Sequence, residues 1–112
     1  MLTSGDVIDL GLPGGREAGF RRPAVVVTAQ RILEAQPTVA QVVPLTTVVR
    51  GFASEIAIEP DDANGLEQTS AAQCQHIRAV STTRVEGTRG NIGPAMLGQL
   101  RETIGLILDI PI

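Results

Sequence analysis

The chain has 112 residues, 43% hydrophobic and 19% charged, with nine basic and 12 acidic side chains and a net charge of −3. That length suits one domain spanning 1–112, able to bury roughly two thirds of its unfolded surface, and the composition excludes intrinsic disorder and a generally basic nucleic-acid binder. One Cys and one His exclude an internal disulfide and a structural zinc site of four N or S ligands.

Val7-Ile8-Asp9-Leu10 reads as a first strand, followed by a loop from Gly11 to Arg21 rich in Gly and long enough to be functional. Pro23 to Thr28 is a continuous β-branched run, the pattern of a buried strand, with Pro23 tolerable because it opens the strand. Ile32-Leu33 falls in a short, weakly helical connector that ends at Pro37. Val39 to Leu45 is a third strand. Ser54 to Glu59 alternates polar and apolar residues as a half-exposed strand does, and Pro60 to Gly65 is a turn. Ser70 to Val80 is expected as one mixed strand, and Glu86 to Ile92 as a weaker one.

The chain closes differently. Asn91 or Gly93 can cap a helix, Pro94 suits its first turn, and Leu97, Leu100, Ile104, Ile107 and Leu108 recur at helical spacing, with Pro111 as the stop. Gly98 and Gly105 inside it imply either close packing on the sheet or a tolerated weakness. No apolar run approaches the roughly 18 residues of a membrane span, and Met1 to Asp6 has neither a basic n-region nor an apolar h-region. The expected location is the cytoplasm, with no membrane contact.

All nine basic residues are Arg, the better side chain for bidentate phosphate contacts, although GC-rich coding gives the same bias. Arg16, Arg21, Arg22 and Arg50 lie in or beside expected loops of the first half, whereas Glu59, Asp61, Asp62 and Glu67 cluster in a later loop. A local basic mouth on an acidic protein binds a polyanion with strong salt sensitivity.

RNA cleavage by transesterification suits such a chain, because the ribose 2′-OH is the nucleophile and the protein need only position the strand, stabilise the crowded phosphate and move two protons. The sequence has no HExxH, CxxC, GxSxG or P-loop pattern. Arg22, at the start of a buried strand, can donate two parallel hydrogen bonds to a phosphate; a surface Arg at a strand end is the plain alternative. Thr46 can bond a phosphate or orient the 2′-OH, or simply be a β-former. Strict alternation puts Gln73 and Gln75 on one face of the Ser70–Val80 strand and Cys74 and His76 on the other, unless the strand bulges. A lone His is commonly structural, yet histidine, with an ordinary pKa of about 6.5, is the side chain suited to general acid/base work at neutral pH. Phe20 and Phe52, the only aromatics, sit in expected loops beside Arg21-Arg22 and Arg50-Gly51, where they either stack on unpaired bases or anchor the loops.

Taken in order over nearly the whole chain, several stretches resemble the MazF/PemK family of toxin endoribonucleases. They are Gly5-Asp6-Val7 with Asp9-Leu10, Gly15 and Glu17, Arg22-Pro23-Ala24-Val25-Val26-Val27, and Val43-Pro44-Leu45-Thr46-Thr47. Gly51, Gly65-Leu66, Ile77-Arg78-Ala79-Val80 and the C-terminal helix continue the match. The resemblance implies a mainly β, α+β fold: a small SH3-like antiparallel β-barrel with a C-terminal α-helix. It also implies a homodimer, no metal or other cofactor, and cleavage of single-stranded mRNA at short motifs to leave 2′,3′-cyclic phosphate and 5′-OH ends. The implied partner is a MazE-like antitoxin whose disordered tail occupies the RNA groove.

Carried over residue by residue, Arg22 is the catalytic arginine and Thr46 the catalytic threonine, with substrate contacts expected from Glu17, Phe20, Arg21, Thr47, Arg50, Phe52, Gln73 and Gln75. One departure bears on mechanism. Where many relatives have an acidic residue followed by Gln, this chain has Gln75-His76; Gln75 cannot be a general base, so that role is vacant or falls to His76. Two other readings stay open: a catalytically weak relative that binds RNA or antitoxin, and a gyrase-poison-like barrel toxin acting by protein binding, for which the chain lacks a C-terminal Trp.

Overall fold

Seven antiparallel strands and one long helix make up the computed structural model, which describes residues 1–11 and 22–111. The strands are β1 (Asp6–Leu10), β2 (Arg22–Val26), β3 (Val39–Thr46), β4 (Glu55–Ile58), β5 (Ser70–Gln73), β6 (Arg78–Ser81) and β7 (Val85–Asn91). The helices are the single turn α1 (Gln30–Leu33) and α2 (Gly93–Ile107), and Cys74–His76 and Thr82–Arg84 form 3-10 turns. Among the described residues no helix is long and apolar enough to cross a membrane.

The strand order is β4-β5-β3-β2-β1-β7, with β6 also on β3. The eight-residue β3 makes this possible. One edge pairs with β2 through Val42, Val43 and Pro44, and the other pairs first with β6, over Val39 to Val42, and then with β5, at Leu45 and Thr46. Pro44 lies in the gap between those two outer ladders, where its missing N–H removes no ladder bond on that edge. The antiparallel, mainly β fold with a C-terminal helix is as expected, but the expected barrel is not closed. The outer strands β4 and β7 do not pair, and β6 passes to β7 through Thr82–Arg84 alone.

The continuous run Ala24 to Val27 is apolar because both faces of the sheet are covered. Val7, Val25, Val43 and Leu45 pack on one side with Leu97, Leu100 and Ile104 of α2, while Ile8, Leu10, Ala24, Val26 and Val42 pack on the other with Leu33 and Val80. Each fully buried aliphatic side chain stabilises the fold by about 1.5–3 kcal/mol. Near the far end of β1 and β7 the Pro60–Gly65 turn is held close: a Cβ on Gly90 would stand 2.2 Å from the Ala63 carbonyl oxygen. The side-chain amide of buried Asn64 binds the turn together through Glu59, Asp61 and Leu66.

Three expectations change. The Ser70–Val80 segment is not one strand, because Cys74 turns inward beneath α2, its N–H donating to the Ser54 carbonyl, and a 3-10 turn separates β5 from β6. Ile107 and Leu108 do not continue the buried stripe of α2; they are 42% and 55% exposed. In β4, expected as a half-exposed strand, the polar Glu55 is buried.

Helix α2 begins as its sequence indicates, with Pro94 in the first turn and the Asn91 side-chain oxygen accepting from the Gly93 N–H at 2.8 Å. Gly98 and Gly105 are the tolerated weakness rather than close-packing sites, since an added Cβ meets nothing within 4 Å at either. Gly98→Ala is therefore expected to raise stability by about 0.5–1 kcal/mol, read as a higher urea midpoint at unchanged slope. A lower midpoint would mean that the helix surface at Gly98 is covered.

Candidate functional site

Leu10 of β1, Ala24 of β2 and Val42 and Pro44 of β3 come to one face, because residues two apart on a strand share a side. They floor a cleft of about 530 Å³ whose remaining lining is Arg22, Pro23, Gln73, His76, Arg78 and Arg84. Three guanidiniums and an imidazole thus converge on an apolar floor, and no Asp or Glu lines the cleft among the described residues. An acidic protein has here a local positive field, the arrangement that concentrates an anion. A second hollow of about 680 Å³ lies between α1 and α2, but it is mostly apolar and its Arg101 is bound to the carbonyls of Val27 and Thr28.

The elements fix each side chain. Arg22 is the exposed first residue of β2, held at the cleft by its pairing with Leu10 of β1, while the β2–β3 ladder begins two residues on with Ala24 opposite Pro44. Continuing that register would set Thr46 opposite Arg22, and Thr46 shares its face with Val42 and Pro44. Thr46 itself is half-buried at the end of β3 and does not line the cleft. Its hydroxyl oxygen accepts from the Val48 N–H at 3.1 Å, which leaves the hydroxyl proton to donate. Arg84 is tied to the start of the 12–21 stretch: its Nε donates to the Gly11 carbonyl at 3.0 Å, and the Gly11 N–H donates back to the Arg84 carbonyl at 2.9 Å.

The 3-10 turn overturns the alternation expected for Gln73, Gln75 and His76. Gln73 and His76 both line the cleft, although strand parity puts them on opposite faces. Gln75 does not line it. Its Nε2 instead donates to Glu55 Oε2 at 2.7 Å, and Gln73 Nε2 reaches the same oxygen at 3.3 Å.

Glu55 is the residue that sequence reasoning missed. Its carboxylate also takes Arg50 Nη2 at 2.9 Å, with the Glu55 side chain only 2% exposed. The Gln75 hydrogen bond holds its carboxyl below the ordinary range, helped by those from Arg50 and Gln73 and opposed by burial. Periodicity carried no sign of this, and the only hint was a set of polar residues, Arg50, Gln73 and Gln75, each requiring a partner. Arg78 entered the sequence reading only as part of a family motif and Arg84 not at all, since an Arg beside a strand end is unremarkable.

Other expected contacts are dispersed. Arg50 is bound to Glu55 and lies over the Phe52 ring, 4.7 Å from its centre, and Phe52 is 51% exposed. Thr47 is exposed just past β3. Glu17, Phe20 and Arg21 lie outside the described residues. Cys74 is buried, and burial pushes its thiol up to about 11, so it is not a thiolate at neutral pH.

Known proteins share this architecture. The toxin MazF-mt6 of Mycobacterium tuberculosis superposes with a TM-score of 0.77 at 24% identity, covering 96% of this chain and 99% of that one. A mycobacterial endoribonuclease solved in complex with its cognate antitoxin gives 0.77 at 18% identity, covering 100% and 99%. At these identities the likeness is one of fold. In sequence, the endoribonuclease MazF9 of Mycobacterium tuberculosis is 32% identical over 118 residues, 98% of each chain. The model of a family described as PemK-like, MazF-like toxin of type II toxin–antitoxin system matches residues 3–108, so the strands, the Arg-rimmed cleft and the helix all fall within the match, and the chain belongs to that family.

Proposed function

We propose that this protein is the endoribonuclease toxin of a type II toxin–antitoxin pair, and that its cleft holds single-stranded mRNA for cleavage at short motifs by the substrate's own 2′-OH. The observation that carries the reading is the convergence of Arg22, Arg78, Arg84 and His76 on one cleft without a lining carboxylate among the described residues. In this reaction the 2′-oxygen bonds to the adjacent phosphorus and the P–O5′ bond breaks. One proton leaves the 2′-OH and one reaches the departing 5′-oxygen, giving 2′,3′-cyclic phosphate and 5′-OH ends. Arg22 would pair two phosphate oxygens as charge builds on them, the role in which fixed donors contribute most. The Thr46 hydroxyl would donate to the same phosphate, and exposed His76 would move a proton. No step requires a metal ion or cofactor.

An acidic, flexible antitoxin segment is complementary to the same rim. A MazE-like antitoxin and a second copy of this chain are the proposed partners, the first supported by the related endoribonuclease solved with its cognate antitoxin. Single-stranded bases would stack on Phe52 beside Arg50, with Thr47, Gln73 and Gln75, and Glu17, Phe20 and Arg21 of the first loop, as further contacts.

Incubating the purified protein with a long unstructured RNA in excess EDTA, followed by mapping of both new ends, tests the reading. Cuts at a recurring short motif, with cyclic phosphate on one side and 5′-OH on the other and many turnovers per enzyme, are expected. Failure of the folded protein to cut at low salt would leave a binding role instead.

A further inference from the structure

Glu55 carries information that its burial alone does not explain. Three donors, Gln75 Nε2, Arg50 Nη2 and Gln73 Nε2, converge on one of its oxygens, Oε2, and the other, Oε1, is buried with no hydrogen-bond partner among the described residues. A carboxylate only accepts hydrogen bonds. Each glutamine amide that faces it must therefore turn its NH2 inward and its carbonyl oxygen away, since the opposite orientation sets oxygen against oxygen. Hydrogen bonds to an ionised group are roughly twice as strong as neutral ones, so this choice is firmly held. The Gln75 hydrogen bond, with the Arg50 guanidinium 2.9 Å away, keeps the group charged.

The two amides end differently. Gln75 Oε1 is buried and bonded to nothing among the described residues. Gln73 lines the cleft, and among the described residues its one side-chain hydrogen bond is the one its Nε2 gives to Glu55. The Gln73 amide is thus held with its acceptor oxygen directed away from Glu55 and one of its two Nε2 hydrogens committed to the carboxylate, whereas a freely turning amide could present either end to a ligand.

We propose that Glu55 is a specificity-determining residue of the cleft: by fixing the amide of Gln73 with its carbonyl oxygen free, it selects an RNA base that presents an exocyclic amino group there. Cytosine meets that oxygen with its N4 amino group, whereas uracil brings a second acceptor, O4, to the same place; adenine is favoured over hypoxanthine for the same reason. Glu55 acts through Gln73 and need not touch RNA. The inference rests on the ribonuclease reading and deepens it by naming the chemistry of one base subsite.

The experiment uses the full chain and RNAs carrying a mapped cut site in which each position is exchanged between C and U, with kcat/KM measured for each. Wild type is expected to prefer C by about tenfold at one position near the cut, in keeping with the discrimination of a single good polar contact. Replacing that cytidine by its analogue lacking the 4-amino group should cost the same factor with no change to the protein. Glu55→Gln, which lets the amides turn, should bring the C/U ratio to within about twofold. Gln73→Met, which leaves Glu55 bound to Arg50 and Gln75, should do likewise and decides the matter where Glu55→Gln fails to fold. The ratio, not the rate, is the readout, because a purely structural role for Glu55 would slow both substrates alike. Cleavage with no amino preference at any position, or a full preference retained in both variants, would overturn this inference while leaving the ribonuclease reading intact. No cleavage by wild type would remove both.

Discussion

Replacing Arg22 by alanine is expected to lower kcat for RNA cleavage at least about a hundredfold, and up to about a thousandfold, while the protein stays folded. The range is that for removing one fixed donor from the charge that builds in a transition state. Arg22 is exposed at the first position of β2, and alanine keeps its backbone pairing with Leu10 of β1, so truncation is expected to leave the fold intact. Arg22→Lys makes the argument sharper. It keeps the charge but loses the planar fork, so it should recover binding at low salt more than it recovers kcat. Single-turnover kinetics on a mapped site, beside thermal unfolding of each variant, give both numbers. A folded Arg22→Ala protein that cleaves at the wild-type rate would exclude this cleft as the active site.

Leu100→Ala is expected to do the reverse, costing about 2–5 kcal/mol of stability with kcat per folded molecule unchanged. Leu100 is fully buried where α2 meets Val7, Val25, Val43 and Cys74. The cleft floor, Leu10, Ala24 and Val42, belongs to the cluster on the opposite side of the sheet. At about 4–8 °C per kcal/mol for a domain near this size, Tm should fall by roughly 8–40 °C. Activity assayed well below the new midpoint separates the two effects. A large loss of kcat in the folded variant would mean that α2 packing reaches through the sheet to the site.

How much of this was legible in the sequence follows from what each signal depends on. Ala24 to Val27 announced a strand buried on both faces because burial of a continuous run is a property of the run itself. The caps and spacing of α2 were equally local, and only its last turn, Ile107 and Leu108, went wrong, since the spacing does not say where the covering sheet ends. The split of Ser70–Val80 was not legible: the 3-10 turn at Cys74–His76 exists because Ser54 and α2 offer a hydrogen bond and a pocket, both distant in sequence. The same turn brings Gln73 and His76 together where strict alternation parted them. Arg22 and Thr46 were singled out by strand-end position and by resemblance. Glu55 escaped both, because a polar residue in an alternating strand is ordinarily solvated, and its partners Arg50, Gln73 and Gln75 meet it only once β4 pairs with β5.

The two ladders on one edge of β3 also decide how much of the chain the cleft requires. A hairpin toxin could be active as soon as its turn closed. Here the cleft wall draws on residues from Leu10 to Arg84, gathered by the pairing of β3 with both β5 and β6. The cleft is thus a property of the assembled sheet, and no fragment of the chain that lacks Arg84 contains it whole.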